Sequence, residues 1–344
     1  MIVPHLPTFL MTELDVPEKE PTTDWLWHGY IARGNLTLFT SQWKAGKTTL
    51  ITGLLQHLAA GGAFLDRAVA PAKVLMVSEE SRATWADRVR RMPVGPHCRL
   101  MPRPYSHRPT PKQWNELVDQ AGELHAAGQL DLMVIDPLAK FLPGYSESDM
   151  SSILEFLDPL QRLTESGAGV IVLHHPRKQH SEEGSSARGN GGLLAAVDII
   201  IELARYGRLQ GDETRRRLFS MSRYPATPES LIYQWDVATN LFTCLGDPHS
   251  ARFKENWEQV RAILEKRDEA ATPQELLADW PPEQESPAVS VLYQWLNRAT
   301  KEKLVRRFGD GRKSDPYRYR LENEDDEYYD RGELPPLKDL SECI

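Results

Sequence analysis

Leu36-Thr-Leu-Phe-Thr-Ser-Gln-Trp-Lys-Ala-Gly-Lys-Thr-Thr-Leu50 runs an apolar strand into a tight loop and out into a helix, with Gly46-Lys47-Thr48 at the joint. Backbone N–H groups of such a loop, together with the N-terminus of the helix that follows, converge on one spot and favour negative charge there. The predicted phosphate cradle comprises Ser41, Gln42, Trp43, Lys44, Ala45, Gly46, Lys47, Thr48 and Thr49. In this pattern the lysine reaches the β and γ phosphates of ATP and the hydroxyl after it ligates Mg²⁺, which assigns those roles to Lys47 and Thr48. Ser41 stands where G-x-x-x-x-G-K-[ST] has its first glycine, so the loop has to turn without one there. A chance Gly-Lys-Thr would leave unexplained both the strand before it and the helical spacing of Leu50, Leu54, Leu55 and Leu58 after it.

The 344 residues, 40% of them hydrophobic, suffice for one large core and a second small domain. A formal charge of -8 argues against a uniformly basic coat for nucleic acid but leaves local patches open. Cys98, Cys244 and Cys343 show no C-x-x-C pairing, which supports neither a zinc site nor a disulfide framework. No stretch approaches the ~18 apolar residues of a membrane span, and the start has no signal-peptide pattern. The expectation is a cytoplasmic protein that does not enter a membrane.

Residues 1–24 are rich in Pro, Glu and Thr and read as a flexible arm. From residue 25 to 248 apolar strands alternate with helices. Strands are predicted at 73–80, 130–136 and 169–175, and helices at 82–92, 113–127 and 150–166. The Pro-rich passage between 93 and 111 cannot be regular helix. The alternation predicts an α/β domain with a mostly parallel sheet covered by helices on both faces. The pattern continues through 197–203, and shorter alternating runs at 218–224, 231–235 and 241–245 suggest an antiparallel extension of one edge. Beyond Asp247-Pro-His-Ser250 the texture changes. Phe253, Trp257, Val260 and Leu264 fall at helical spacing, Thr272-Pro273 with Glu275 starts a second helix through a capping box, and Ser286-Pro287 opens a third. Segments 303–308 and 317–321 flank a Gly-rich turn and form a hairpin. Three helices and a hairpin over 249–321 predict a small winged helix-turn-helix domain. The acidic tail, 322–344, is expected to be disordered.

Asp136 ends the strand of Leu132, Met133, Val134 and Ile135, and the carboxyl ends of parallel strands border the ligand crevice. It is the natural Mg²⁺ partner, through water. Glu80 ends another strand and could polarise the water that attacks the γ-phosphate; Glu79 competes for the role, since only one of two successive residues faces the nucleotide.

Ser41–Thr49, Val74–Ser81, Ile135-Asp-Pro-Leu138 with Ser148-Asp-Met150, His174-His-Pro-Arg-Lys178, Ala187-Arg-Gly-Asn-Gly191 and Ala196-Val-Asp-Ile199 together resemble the RecA-like ATPases of the RepA-type hexameric replicative helicase group. The resemblance covers roughly residues 25–245. It implies that Glu80 is the catalytic base, that His175 or its neighbour His174 senses the nucleotide, and that the chain forms a homo-oligomeric ring. It also implies that an arginine of the neighbouring subunit touches the γ-phosphate. Arg223 matches that placement best, with Arg205, Arg208 and Arg215 to Arg217 as competitors. The segment 176–192, with Lys178 and Arg188, resembles the loop that such rings direct at single-stranded DNA in the channel.

The winged-helix segment adds an independent argument for nucleic acid. Nine basic residues between 298 and 320 face only Glu302, Asp310 and Asp315. Asn297, Arg298 and Lys301 are predicted on the outer face of the third helix, with residue types that contact base edges and phosphates of duplex DNA, and Arg312 and Lys313 on the wing tip over the backbone. The reading that results is an ATP-hydrolysing motor or switch acting on DNA in replication of a mobile element. Its rivals are a DNA-binding ATPase regulator without unwinding activity and a metabolic kinase. The kinase predicts neither the winged helix nor the Arg-Gly-Asn-Gly loop.

Overall fold

Uninterrupted apolar runs with β-branched residues, such as Val74–Val77 and Leu132–Ile135, suit strands covered on both faces, and the structure places them so. The computed structural model describes residues 22–42, 45–143, 150–175, 193–194, 196–206, 214–267, 269–282 and 286–322. Trp43 and Lys44 of the loop, the segment with Lys178 and Arg188, residues 1–21 of the arm and residues 323–344 of the tail lie outside them. The chain divides into two compact units, Met1–Cys244 and Leu245–Ile344.

In chain order the first unit holds β1 (Trp25–Trp27), β2 (Ile31–Ala32), β3 (Leu36–Ser41), α1 (Lys47–His57), β4 (Gly62–Phe64), β5 (Arg67–Val69), β6 (Val74–Ser78) and α2 (Arg82–Arg91). β7 (Cys98–Pro102), α3 (Pro111–Ala126), β8 (Leu132–Asp136), α4 (Leu138–Phe141), α5 (Met150–Glu165) and β9 (Gly169–His174) follow. β10 (Ile199–Arg205), β11 (Arg215–Ser222), β12 (Ser230–Trp235) and β13 (Phe242–Gly246) complete the main sheet, whose order is β13-β12-β11-β10-β3-β9-β8-β6-β7. From β10 to β7 every pairing is parallel, and β11 and β12 add antiparallel neighbours. The registers Thr40 with His174, Leu203 with Ser41 and Ser78 with Asp136 bring these strand ends to one edge of the sheet.

Alternation along each strand builds two cores. Phe39, Met76, Val134 and Leu173 pack with Leu50, Ile51 and Leu54 of α1 on one face. Leu38, Val77, Ile135 and Val172 pack with Trp114 of α3 and Phe156 of α5 on the other. Each such side chain, fully buried, contributes about 2 kcal/mol relative to exposure. α3 starts where Thr110 and Gln113 close a capping box and Pro111 takes the first turn. This is the RecA-like α/β arrangement: a large, mostly parallel sheet with helices on both faces.

The structure adds to and corrects the sequence reading in several places. A second sheet, β2-β1-β5-β4, packs Trp27, Phe64 and Val69 onto the first core; strands of two or three residues carry no readable period. The Pro-rich passage contains β7, an edge strand ending at Pro102, where a missing N–H is tolerated. β6 stops at Ser78, so Glu79 and Glu80 lie past the strand and not on it. Arg223 likewise follows the end of β11.

In the second unit, α6 (Pro248–Leu264) begins on Asp247, whose carboxylate accepts from the His249 and Ser250 N–H groups. The Asp-Pro-His-Ser stretch is therefore a helix start and not merely a domain end. α7 (Pro273–Ala278) has the expected Thr272 and Glu275 capping box. α8 (Val289–Lys301) opens after Ala288, with no side-chain cap, two residues later than Ser286 suggested. β14 (Val305–Phe308) and β15 (Arg318–Leu321) form an antiparallel hairpin, and Ala271 bridges to Tyr319. Val260, Leu276, Leu292, Leu296, Val305 and Tyr319 fill the core between them. Among the described residues no helix is long and apolar enough to cross a membrane.

Candidate functional site

Four strand ends and one helix start build the site. β3 delivers Ser41, and the loop returns through Gly46, whose φ of 102° only glycine adopts without strain. α1 then starts at Lys47, so its first N–H groups open toward the crevice at the carboxyl ends of the strands. Lys47 is only 3% exposed. Its Nζ donates to Ser41 Oγ at 2.9 Å and to His175 Nδ1 at 2.8 Å. Burial pushes its ammonium down from 10.5 to about 7, and the Asp136 carboxylate opposes this.

Thr48 Oγ1 donates to Asp136 Oδ2 at 2.9 Å. Asp136 is 6% exposed, and burial raises its carboxyl from 3.8 to about 6. The Thr48 hydrogen bond and the Lys47 charge oppose that rise, while Glu80 and Glu79 add to it. A hydroxyl and a carboxylate meeting beside a phosphate cradle fit Mg²⁺, which takes hard oxygen ligands and usually only one or two carboxylates together with substrate phosphates. Among the described residues no cluster of three His, Cys, Asp or Glu could hold a metal by itself, so the donor set depends on phosphate oxygens.

Glu79 and Glu80 follow β6 on the same edge. The Glu80 N–H donates to Ser78 Oγ at 3.1 Å, and Trp85 Nε1 donates to the same oxygen at 3.0 Å. Both Arg88 Nη atoms hold the Glu80 carboxylate, with Nη2 donating to Oε1 at 3.0 Å. Arg88 also lies over the Trp85 ring, 4.6 Å from its centre. Glu79 is held by its backbone, its N–H donating to the Asp136 carbonyl at 3.0 Å, and burial raises its carboxyl above the usual range against the pull of Lys140. The neighbour of His175, His174, meets Thr40 Oγ1 through Nδ1 at 3.5 Å, on the face away from α1.

The structure thus brings together Ser41, Ala45 to Thr49, Lys47, Asp136 and His175, with Glu79 and Glu80 close by. It does not bring Arg223 there. That side chain is 70% exposed and pairs with Asp198 at 2.6 Å. The other Asp198 oxygen accepts from the Leu36 N–H, so the pair sits at the start of β3, the opposite end from Ser41. Arg216 of β11 is at the loop instead, its Nε donating to the Ala45 carbonyl at 2.8 Å. In the second unit Asn297, Lys301, Arg312 and Lys313 are exposed. Arg298 is engaged within the domain: it donates to Glu302 at 2.6 Å and Ser250 Oγ at 3.1 Å, and lies 4.3 Å from the Phe253 ring centre.

Fold and site together define a P-loop ATPase of RecA-like architecture. A family profile described as an AAA domain matches residues 5–181, more than half of the chain, and the protein belongs to that family. No curated protein matches the chain. Among solved structures it is similar to the flagellar accessory protein FlaH from Methanocaldococcus jannaschii, with a TM-score of 0.44 and 11% identity, over 62% of this chain and 89% of that one.

Proposed function

We propose that the protein is an ATP-hydrolysing motor or switch that acts on DNA, of the RepA-like helicase kind and serving replication of a mobile element. The observation that carries the ATPase half is the convergence of Lys47, Thr48 and Asp136 at the carboxyl edge of a parallel sheet. Lys47 leaves His175 and Ser41 for the β and γ phosphates. Thr48 would hold a Mg²⁺ ion directly and Asp136 through water, and the ion would supply charge neutralisation to the phosphates. Glu80 polarises the attacking water, which requires its carboxylate to turn from Arg88, and His175 follows the γ-phosphate once Lys47 has moved.

Assembly and DNA contact complete the reading. Arg223 acts on a neighbour's nucleotide in a homo-oligomeric ring; its place at the opposite end of β3 from Ser41 leaves it no role at its own loop. Lys178 and Arg188 meet single-stranded DNA in the channel. The second unit is a winged helix, supported by its three helices, its hairpin and the exposed Asn297, Lys301, Arg312 and Lys313, and it docks on duplex. ATPase rate with and without single-stranded DNA, together with strand displacement on a forked duplex, tests the proposal. Stimulation with displacement is expected. Stimulation without displacement replaces the motor by a DNA-binding regulator, and no effect of DNA on turnover removes the DNA half altogether.

A further inference from the structure

β11 carries a guanidinium to the phosphate loop from two strands away. Arg216 is 6% exposed, although β10 lies between its strand and β3. The registers explain its reach. Leu203 of β10 stands beside Ser41, and Arg205, two positions further on, stands beside Arg216. Arg216 therefore sits about 7 Å beyond the end of β3, level with the loop. Its Nε donates to the Ala45 carbonyl at 2.8 Å, and its Nη1 donates to the Arg215 carbonyl at 2.8 Å. The second bond fixes the plane of the guanidinium, and the first fixes a peptide.

That peptide joins Ala45 to Gly46. A trans peptide is planar, with its C=O and N–H pointing in opposite directions. Holding the Ala45 carbonyl toward Arg216 turns the Gly46 N–H the other way. A Cβ built on Gly46 would meet Arg216 Nε at 4.0 Å, an ordinary contact, so the backbone angle and not crowding requires glycine there. We propose that Arg216 is a positioning residue of the nucleotide site, locking the Ala45–Gly46 peptide so that its N–H faces the phosphates. The inference rests on the ATP-site reading above. It gives the loop that begins with Ser41 instead of glycine an external brace, from a strand 171 positions away in sequence.

The test uses the full chain and three variants: Arg216→Met, which keeps an unbranched stem out to the Nε position but has no donor, Arg216→Lys, which restores one, and Lys47→Ala. Competition against a fluorescent ATP analogue gives affinities for ATP and for tripolyphosphate, and thermal melts report folding. Loss of a buried charge-assisted hydrogen bond predicts that Arg216→Met binds both competitors about 10- to 100-fold more weakly. Arg216→Lys should recover at least about tenfold of that loss, whatever the ranking of the melting temperatures. Equal affinities for the Met and Lys variants, or Met within twofold of wild type while Lys47→Ala loses binding, would overturn the role of Arg216 and leave the phosphate loop in place. Failure of wild type itself to bind ATP would instead remove the ATP-site reading.

Discussion

The Thr48 hydroxyl and the Asp136 carboxylate meet at 2.9 Å, across 88 positions of sequence, and tie the first turn of α1 to the end of β8. Asp136→Asn keeps an acceptor for that hydrogen bond but removes the charge. It should leave ATP binding nearly intact and lower hydrolysis by roughly 10²-fold, with more Mg²⁺ needed for half-maximal rate. Because burial raises this carboxyl to about 6, wild type should likewise need more Mg²⁺ for half-maximal rate as pH falls below that value. Metal titrations of the rate at pH 5.5 and 7.5 check both statements.

Lys47 makes the opposite kind of pH statement. Between about 7 and 10.5 the unfolded chain holds a proton that the folded chain does not. The contribution of this group to stability therefore rises with pH through that window and is lost as pH falls to about 7. Placing the ammonium against phosphates should restore the proton, so ATP binding at pH 8 should take up protons. Calorimetry in two buffers of different ionisation heat measures the uptake, which should shrink at pH 6, where Lys47 already carries its proton.

Glu80→Gln should bind ATP as wild type does and hydrolyse it at least ~10²-fold more slowly, whereas Glu79→Gln should turn over normally. Single-turnover hydrolysis compares them. The reverse ranking transfers the role of base to Glu79, whose raised carboxyl and approach to Asp136 make it the alternative.

The site was legible where a contiguous apolar run ended on a chemically marked residue. Asp136 closes β8 and Ser41 closes β3, so strand, edge and ligand could be read together. Glu79 and Glu80 were harder because both stand beyond β6, where strand alternation no longer says which way a side chain points. Arg223 falls within the alternating run 218–224 and carries the right charge, yet neither fact says which end of the sheet it occupies. Only the antiparallel register of β11 with β10 reveals that Arg216, and not Arg223, lies at the loop end of the sheet. The β1, β2, β4 and β5 strands span two or three residues each, too few for a period. In the second unit the capping box of Thr272 and the helical spacing of Phe253 to Leu264 were plain in the sequence, while the Arg298 contacts with Ser250 and Phe253 depend on how α6 and α8 pack.

In the second unit the proposed contacts with DNA can be told apart from contacts that hold the domain. Arg312→Ala and Lys313→Ala should each lower the salt slope of duplex binding by about one, and together by about two, without changing the melting transition. Arg298→Ala should instead destabilise the domain by about 1 kcal/mol, through its lost cation–π and hydrogen-bond partners. Anisotropy against salt concentration, with thermal melts of the same proteins, distinguishes the two groups.

The proposed sharing of the nucleotide between subunits predicts complementation. Lys47→Ala and Arg223→Ala should each be inactive alone, the latter slower by ~10³-fold or more, and mixing them should restore part of the rate because some interfaces then pair two intact halves. Turnover of the mixture equal to the mean of its parts would leave Arg223 with only its Asp198 pairing.

The central claim is that ATP is hydrolysed at Lys47, Thr48 and Asp136, and steady-state phosphate release from purified wild type and Lys47→Ala, with Mg²⁺ or with a chelator, tests it most directly. Turnover in wild type that is lost on chelation and lost in Lys47→Ala is the result the account predicts. Equal rates for the two proteins in Mg²⁺ would contradict it.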